Sequence, residues 1–227
     1  MEQVKIDRRK NYYIVLDIEG TNTVQDALCY DLGAAVIDKQ GNVYETLDLV
    51  IYDIYALEKD LMKSAYYANK LPQYEEELKS GVRTMVSIFT AKKELKRLCD
   101  KYQVKAIMAH NARYDYFGLN TTLKYITKSK QRYFFPYGVE IWDTMKMAHD
   151  TICKQKTYIK FCEQNGYMTN HSTPRPQEKA EVIYRYISGN NEFVERHTGL
   201  SDVMIEKEIF VKCLRQHKKM RKALFQK

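Results

Sequence analysis

The chain has 227 residues with no internal shift in composition, so one large domain over 1–227 with a substantial buried core is expected. Its 37 Lys and Arg outnumber its 29 Asp and Glu, and the resulting formal charge of +8 suits a polyanionic partner without identifying one. Nowhere do as many as about 18 apolar residues run together, which excludes a membrane-spanning helix.

Cysteine usage and the N-terminal sequence both favour the cytoplasm. The five cysteines, at 29, 99, 153, 162 and 213, form no CxxC pair and predict buried free thiols in a reducing compartment. The first residues, MEQVKIDRRKN, contain no apolar segment of the kind found in signal peptides. We therefore expect a cytoplasmic protein that does not enter a membrane.

The first part of the chain predicts three consecutive strands. Residues 12–18, 32–37 and 43–51 are apolar or β-branched runs, and the turn-prone DKQGN joins the last two. This order is typical of an antiparallel meander.

From residue 87 onward the pattern changes to helices that alternate with short strands. Residues 87–102 place their apolar side chains on one helical face, and KAIMAHN at 105–111 then has the pattern of a short buried strand. The remaining predicted elements are a helix at 114–127, a strand at 139–142, and helices near 144–153, 157–164, 178–188 and 201–217. Together they predict an α/β fold with a mixed sheet between helices.

The first chemically informative stretch is NYYIVLDIEGTN, 11–22, where a buried-strand pattern ends in two acids. If the strand continues, Asp17 and Glu19 lie on the same face, and a divalent cation such as Mg²⁺ or Mn²⁺ would offset their repulsion. The alternative is that Glu19 belongs to a solvated turn before Gly20. A single Asp-x-Glu triplet is too common to decide between them.

Two further acids follow predicted junctions between elements. Asp115 in AHNARYD, 109–115, opens a helix, and His197 and Asp202 in HTGLSD, 197–202, precede and begin another. Each has an ordinary alternative: Asp115 as a dipole-complementing residue, Ser201 or Asp202 as an N-cap, and His197 as a loop histidine.

Taken together, LDIEG, HNARYD and HTGLSD resemble, in order, the three Exo motifs of the DnaQ-like (DEDDh) 3′–5′ exonucleases. The resemblance implies a ribonuclease H-like core with a five-stranded mixed sheet flanked by helices. Gly20 stands where many members have Thr, and TGLS replaces the more usual small and apolar residues between the last His and Asp. Both departures lie near the substrate and leave nucleotide preference open.

The resemblance also assigns roles to five residues and implies two Mg²⁺ or Mn²⁺ ions per active site. We hypothesise that Asp17 bridges both ions, that Glu19 and Asp202 hold the ion beside the attacking water, and that Asp115 acts on the second ion. His197 matches the histidine of the family and would remove a proton from the water, which suits its intrinsic pKa.

The expected function is a metal-dependent 3′–5′ exonuclease that releases nucleoside monophosphates from single-stranded or frayed 3′ ends, with DNA favoured. It would be free-standing or a proofreading partner of a DNA polymerase. The alternative enzyme is an RNase T-like exoribonuclease, and the non-catalytic alternative is a nucleic-acid-binding module with the same core. The oligomeric state is open.

Four other features have structural interpretations that we favour over functional ones. His110 and Asn111 are expected to shape the junction before Asp115, and Asp143 is expected to cap a helix, with a place in the metal site as its minor alternative. The aromatics of KSKQRYFFPYG, 128–138, are expected to point inward rather than contact a strand. The stretch 212–227, with seven Lys or Arg and no acid, is expected to be a solvated helix end, with a phosphate-binding or docking tail as the alternative.

Overall fold

The central strand β1, Tyr12–Gly20, divides its side chains between two hydrophobic cores. Ile14 and Leu16 join one core, whereas Tyr13 and Val15 join the other, as the alternation of a strand requires. Because both faces of β1 are covered, the strand lies in the middle of the protein. The carboxyl end of β1 is therefore buried inside the protein rather than exposed at the surface.

A computed structural model of the chain, which describes residues 6–21, 27–65, 67–130 and 132–225, places six strands in one mixed sheet. The other strands are β2, Cys29–Asp38; β3, Val43–Ile51; β4, Thr84–Val86; β5, Ala106–Ala109; and β6, Glu140–Asp143. The order is β4-β3-β2-β1-β5-β6. The first three strands pair antiparallel, β4 is parallel to β3, and β5 and β6 continue parallel from β1.

Helices cover both faces of the sheet. Their bounds are α1, Tyr52–Tyr55; α2, Lys59–Ser64; α3, Leu71–Lys79; α4, Ile88–Tyr102; α5, Arg113–Ile126; α6, Thr144–Ala148; α7, Lys156–Asn165; α8, Ala180–Ser188; and α9, Gly199–Arg215. A 3₁₀ turn, Ala68–Lys70, precedes α3, and a π-helical turn, His149–Cys153, follows α6. Helices α1 to α5 pack on the first core and α6 to α9 on the second.

The approach of α9 to the sheet depends on two glycines. A Cβ added to Gly33 on β2 would lie 2.1 Å from the carbonyl carbon of Gly199, the first residue of α9. A Cβ on Gly199 would in turn lie 2.4 Å from the backbone nitrogen of Gly33. The start of α9 therefore contacts the β2 backbone directly, at a distance that no other residue pair permits.

These observations confirm the predicted α/β class, the antiparallel meander and the helices on the sheet faces, with one strand more than the five expected. The extra strand, β4, has three residues that are exposed or half-buried, so it has no hydrophobic pattern by which a sequence reveals a strand. It lies in the segment 52–86, where the sequence analysis predicted no element. The helix predicted at 144–153 is helical throughout but changes to π-type after Ala148.

The chain after α9 returns to the sheet. Asp143 donates its backbone N–H to the carbonyl of Lys222 at 2.7 Å, and Leu224 donates its own to Ile141 at 2.8 Å. Residues 222–224 are therefore bonded to β6 rather than extending freely from the end of α9. The phosphate-binding and docking roles of the stretch stay predictions. Residues 226–227 of that stretch and 1–5 of the N-terminal extension lie outside the described residues.

The inward packing predicted for the aromatics of 128–138 holds for two of them. Phe134 and Phe135 are buried, whereas Tyr133 and Tyr137 are exposed; residue 131 is outside the described part. Among the helices that the structure describes, none has the length and apolar content needed to span a bilayer.

Candidate metal centre at the end of β1

The two acids of β1 lie on the face that packs against α9. The strand continues to Gly20, so Asp17 and Glu19 project to the same side as Tyr13 and Val15. Glu19 is only 8% exposed, which shows that the solvated-turn interpretation of this residue is wrong.

Asp115 lies in the first turn of α5 and is tied to β1. It is buried, and its Oδ1 accepts the backbone N–H of Ile18 at 3.1 Å. The residue between Asp17 and Glu19 is thus bonded to the third acid. This contact goes beyond the dipole-complementing role that the sequence left open.

The junction before α5 is built from His110 and Asn111, as expected. Asn111 adopts a left-handed backbone with a φ of 64°, which Asn tolerates better than most residues. Its backbone N–H donates to Asp143 Oδ1 at 3.2 Å, and the same oxygen accepts from Met145 at 3.0 Å. Asp143 therefore caps α6, which confirms its predicted role.

His197 and Asp202 flank the start of α9. The helix begins at Gly199 with Thr198 as its N-cap residue, so Asp202 lies inside the first turn and the N-cap interpretations of Ser201 and Asp202 are wrong. A ring nitrogen of His197, a carboxylate oxygen of Asp202 and one of Glu19 lie within 4.8 Å of one another. Two acids and the histidine of the sequence hypothesis are therefore close enough to share one ion.

These side chains open into a cavity of about 630 Å³. Asp17, Glu19, His197 and Asp202 line it, whereas Asp115 does not. Asp115 is nevertheless close enough to Asp17 for its charge to disfavour ionisation of that acid. The structure thus brings all five predicted residues to one place, four of them at the cavity wall.

The acids lie where burial, together with neighbouring acids, disfavours their charged forms. Burial and the nearby Glu206, Asp115, Glu19 and Asp202 raise the pKa of Asp17 well above its usual value. Burial, with Asp202 and Asp31 as the nearest charges, raises the pKa of Glu19 to about 9. Burial is also the main cause that raises the pKa values of Asp115 and Asp202 to about 8.

Two of these carboxylates have an oxygen that nothing satisfies. Asp17 Oδ2 and Asp202 Oδ1 are buried and have no hydrogen-bond partner among the residues that the structure describes. Buried polar atoms are nearly always paired, and hard carboxylate oxygens are the ligands that Mg²⁺ and Mn²⁺ prefer. The donor set therefore fits a divalent cation.

His197 is held by a stacked tyrosine. The ring of Tyr67, just before the 3₁₀ turn, lies parallel to the imidazole with centroids 4.4 Å apart, and Lys70 Nζ donates to the His197 carbonyl at 3.3 Å. Burial and the charge of Lys70 lower the pKa of His197. The imidazole is therefore kept neutral and able to accept a proton at neutral pH.

Sequence reasoning missed several residues of this cavity, among them Tyr67, Glu195 and Glu206. Glu206 is buried on α9 and accepts the backbone N–H of His110 at 3.0 Å. Its position, one turn after Asp202 on a helix face that is otherwise apolar, was the available signal. Glu195 Oε2 lies 3.8 Å from His197 Nδ1. Tyr67 had no such signal because its segment predicted no element.

No family model and no curated protein matches the sequence. Solved structures do match in fold, and three of exonuclease I have a TM-score of 0.51 with 92% of this chain covered. They are the zinc-bound form of the Escherichia coli enzyme with single-stranded DNA (11% identity), the E. coli enzyme with a 5cy-dT13 oligonucleotide (10%), and the enzyme of Methylocaldum szegediense (14%). The chain spans 41% of the length of each of these proteins, so the likeness concerns one part of them. At this level of identity, what it establishes is that this chain has the fold of that part of exonuclease I.

Proposed function

We propose that this protein is a metal-dependent 3′–5′ exonuclease that hydrolyses terminal phosphodiester bonds of single-stranded nucleic acid, with DNA as the preferred substrate. The observation that carries the proposal is the meeting of Glu19, His197 and Asp202 within 4.8 Å at a cavity where two buried carboxylate oxygens have no partner in the described part of the chain. The fold similarity to exonuclease I, two of whose structures contain single-stranded DNA, supports the choice of substrate class.

In this proposal the protein's own residues have three tasks. Asp17, Glu19, Asp115 and Asp202 would hold the divalent ions, which supply electrostatic stabilisation to the attacking and leaving oxygens. His197 accepts a proton from the attacking water through a ring nitrogen. Tyr67 fixes the plane of that ring by stacking against it.

Lys70 places a cation beside the carboxylates. Its charge interacts with Glu19 and Asp202, and its amino group is half-buried against the His197 carbonyl. Lys70 does not itself line the cavity. Its role in this proposal is therefore electrostatic, through the positive charge that it places near Glu19 and Asp202.

The experiment that tests the proposal measures the direction of degradation, the preference for DNA or RNA, and the need for a metal ion. Pure protein is incubated with DNA and RNA oligomers labelled at the 5′ or the 3′ end, in Mg²⁺, Mn²⁺ or EDTA. A ladder that shortens from the 3′ end, is faster on DNA and is absent in EDTA is expected. A faster ladder on RNA would instead support the exoribonuclease alternative.

A matched pair of variants ties the activity to this site. Asp17→Asn should abolish the ladder, whereas Asp60→Asn, the same change at a fully exposed aspartate on α2, should leave it unchanged. Full activity of Asp17→Asn would refute the assignment of the site.

A further inference from the structure

A buried carboxylate outside the proposed metal ligands connects the strand acids to the start of α9. Asp31 on β2 is fully buried and lies directly opposite Glu19 in the β1–β2 ladder. Its Oδ2 accepts the backbone N–H of Gly199 at 3.1 Å, across 168 positions of the chain. Gly199 lies between His197 and Asp202, so one side chain spans both halves of the site.

The same oxygen of Asp31 also contacts Tyr74 and Arg83. Tyr74 on α3 donates its hydroxyl to Asp31 Oδ2 at 2.5 Å, and the buried Arg83 lies 2.8 Å from it. Arg83 also contacts Glu77 at 2.8 Å and Asp48 at 3.3 Å, which holds the guanidinium in place between α3 and β4. These contacts hold the Asp31 carboxylate in position, so that it can accept the backbone N–H of Gly199.

The contact with Gly199 determines where α9 begins. Gly33, two residues after Asp31 on the same strand face, touches the Gly199 backbone, so α9 rests on β2 at two adjacent points. The glycine contact limits how closely the helix approaches, and the hydrogen bond to a carboxylate, which is stronger than one to a neutral acceptor, holds it there.

We infer that Asp31 is a positioning residue that sets the distance between Glu19 and the His197–Asp202 pair, and through that distance the affinity of the site for its divalent ion. The inference rests on the proposed function, because it concerns the same metal centre. Asp31 does not line the cavity and has no contact with substrate in this role. Carboxylates that orient metal ligands in this indirect way commonly contribute about 10- to 100-fold to metal affinity.

The test is a graded series of variants measured by direct Mn²⁺ binding, with calorimetry or the electron paramagnetic resonance signal of free Mn²⁺. Asp31→Ala, which leaves Gly199 without an acceptor, should weaken Mn²⁺ binding about 10- to 100-fold. Asp31→Asn keeps an oxygen but loses the charge, so its affinity should fall between those of the parent and Asp31→Ala. In nuclease assays both should regain the parent kcat at high Mn²⁺, with an unchanged KM for the oligonucleotide.

Two further variants separate positioning from other effects of the same residues. Tyr74→Phe removes one donor to Asp31 but leaves Arg83 and the bond to Gly199 in place, so it should lower the thermal stability and weaken Mn²⁺ binding less than Arg83→Gln does. Arg83→Gln removes a positive charge: if Asp31 acted only by long-range attraction, Mn²⁺ would bind more tightly, whereas positioning predicts weaker binding because Asp31 loses its anchor.

The outcomes distinguish this inference from the proposed function. If the parent neither binds Mn²⁺ nor degrades oligonucleotides, the proposed function fails. If the parent does both and folded Asp31→Asn binds Mn²⁺ with parent affinity, the positioning role is refuted while the nuclease remains. Tighter Mn²⁺ binding by Arg83→Gln would refute it as well. Circular dichroism of each variant establishes whether it is folded. If Asp31→Ala does not fold, the Mn²⁺ affinity of Asp31→Asn decides the test.

Discussion

At the scale of single residues, the carboxylates of the cavity are arranged at the expense of stability. Asp202 is 4% exposed, has an oxygen without a partner and has a pKa raised to about 8 by burial and nearby acids. Burying such a group lowers the free energy of unfolding, because the nearby Lys70 offsets the burial and the neighbouring acids only in part. A bound cation would reverse the effect. The metal-free protein should therefore be less stable than its size implies.

Asp202→Asn tests whether this carboxylate lowers the stability of the metal-free protein. The amide has the same shape but cannot ionise, so in EDTA the variant should unfold about 2–4 °C above the parent, which corresponds to about 1 kcal/mol for a domain of this size. Mn²⁺ should raise the melting temperature of the parent and not of the variant. A variant that melts below the parent in EDTA, while the exposed control Asp60→Asn is unchanged, would show that Asp202 is not a strained acid.

Asp38 illustrates the opposite situation, a buried acid whose surroundings favour its charge. Burial alone would raise its pKa, but hydrogen bonds from Asn42, Tyr44 and Lys10 outweigh that effect and lower the pKa below its usual value. Its contribution to stability is therefore fully present above the usual pKa of 3.8 and is lost as the pH falls through the lowered value.

Asp38→Asn should consequently change the acid stability of the protein. At pH 6 the variant should be less stable by about 1–3 kcal/mol, because a charged acceptor with several donors is lost. The difference should shrink as the pH falls below 4, since the parent then loses the same contribution. Urea unfolding at several pH values measures it, and a difference that stays constant down to pH 2 would contradict the assignment.

At the scale of elements, the site depends on how α9 rests on the sheet. The helix supplies Asp202 and follows His197, and its first residue contacts β2 through Gly33. This contact joins backbone atoms of the two glycines and involves no side chain, so the distance between helix and strand has little room to vary. The position of α9 should therefore respond sharply to a single added methyl group.

Gly33→Ala should displace the start of α9. The new Cβ would lie 2.1 Å from the carbonyl carbon of Gly199 and 2.2 Å from the nitrogen of Leu200, and backbone atoms cannot turn aside as a side chain can. We expect a loss of about 3 kcal/mol in urea unfolding, together with weaker Mn²⁺ binding.

Gly166→Ala is the matched control for that substitution. Gly166 is the left-handed C-cap of α7, and a Cβ there meets nothing within 4 Å, so the change should cost only about 1 kcal/mol. Equal stability of the two variants would show that the contact between β2 and α9 is loose.

At the scale of the whole molecule, the chain carries a formal net charge of +8, although several acids line its cavity. A polyanion would be attracted by the overall field and would bind mainly through phosphate contacts, with metal ions mediating at the site itself. The binding step should therefore be strongly dependent on salt.

Salt dependence can be measured without hydrolysis in the Asp17→Asn variant. Anisotropy of a labelled single strand should show an affinity that falls steadily with salt, with a logarithmic slope of about 0.7 for each phosphate neutralised. A neutral morpholino strand of the same sequence, which lacks phosphate charge, should bind far more weakly. Equal binding of the two strands would exclude the electrostatic account.

The sequence alone predicts some elements of this architecture and not others. The apolar run from Tyr12 to Leu16 and the periodic helix after Asp202 are local patterns, so the strand, the helix and the acids at their ends follow from them. By contrast, Tyr67 and Lys70 belong to a segment of short helices with weak periodicity, and long-range contacts place it. Arg83 helps to fix that segment by pairing with Asp31, a contact that no local pattern encodes.

One feature of the topology bears on how the protein is made. β1 emerges from the ribosome early, whereas α9, which must dock beside it, follows only after the five other strands. Chains fold in part during synthesis, so a nascent sheet can form while Asp17 and Glu19 still face water where α9 will later pack. Asp202 then joins Asp17 and Glu19 only when α9 docks, so a growing polypeptide lacks the complete set of five site residues until α9 has been made.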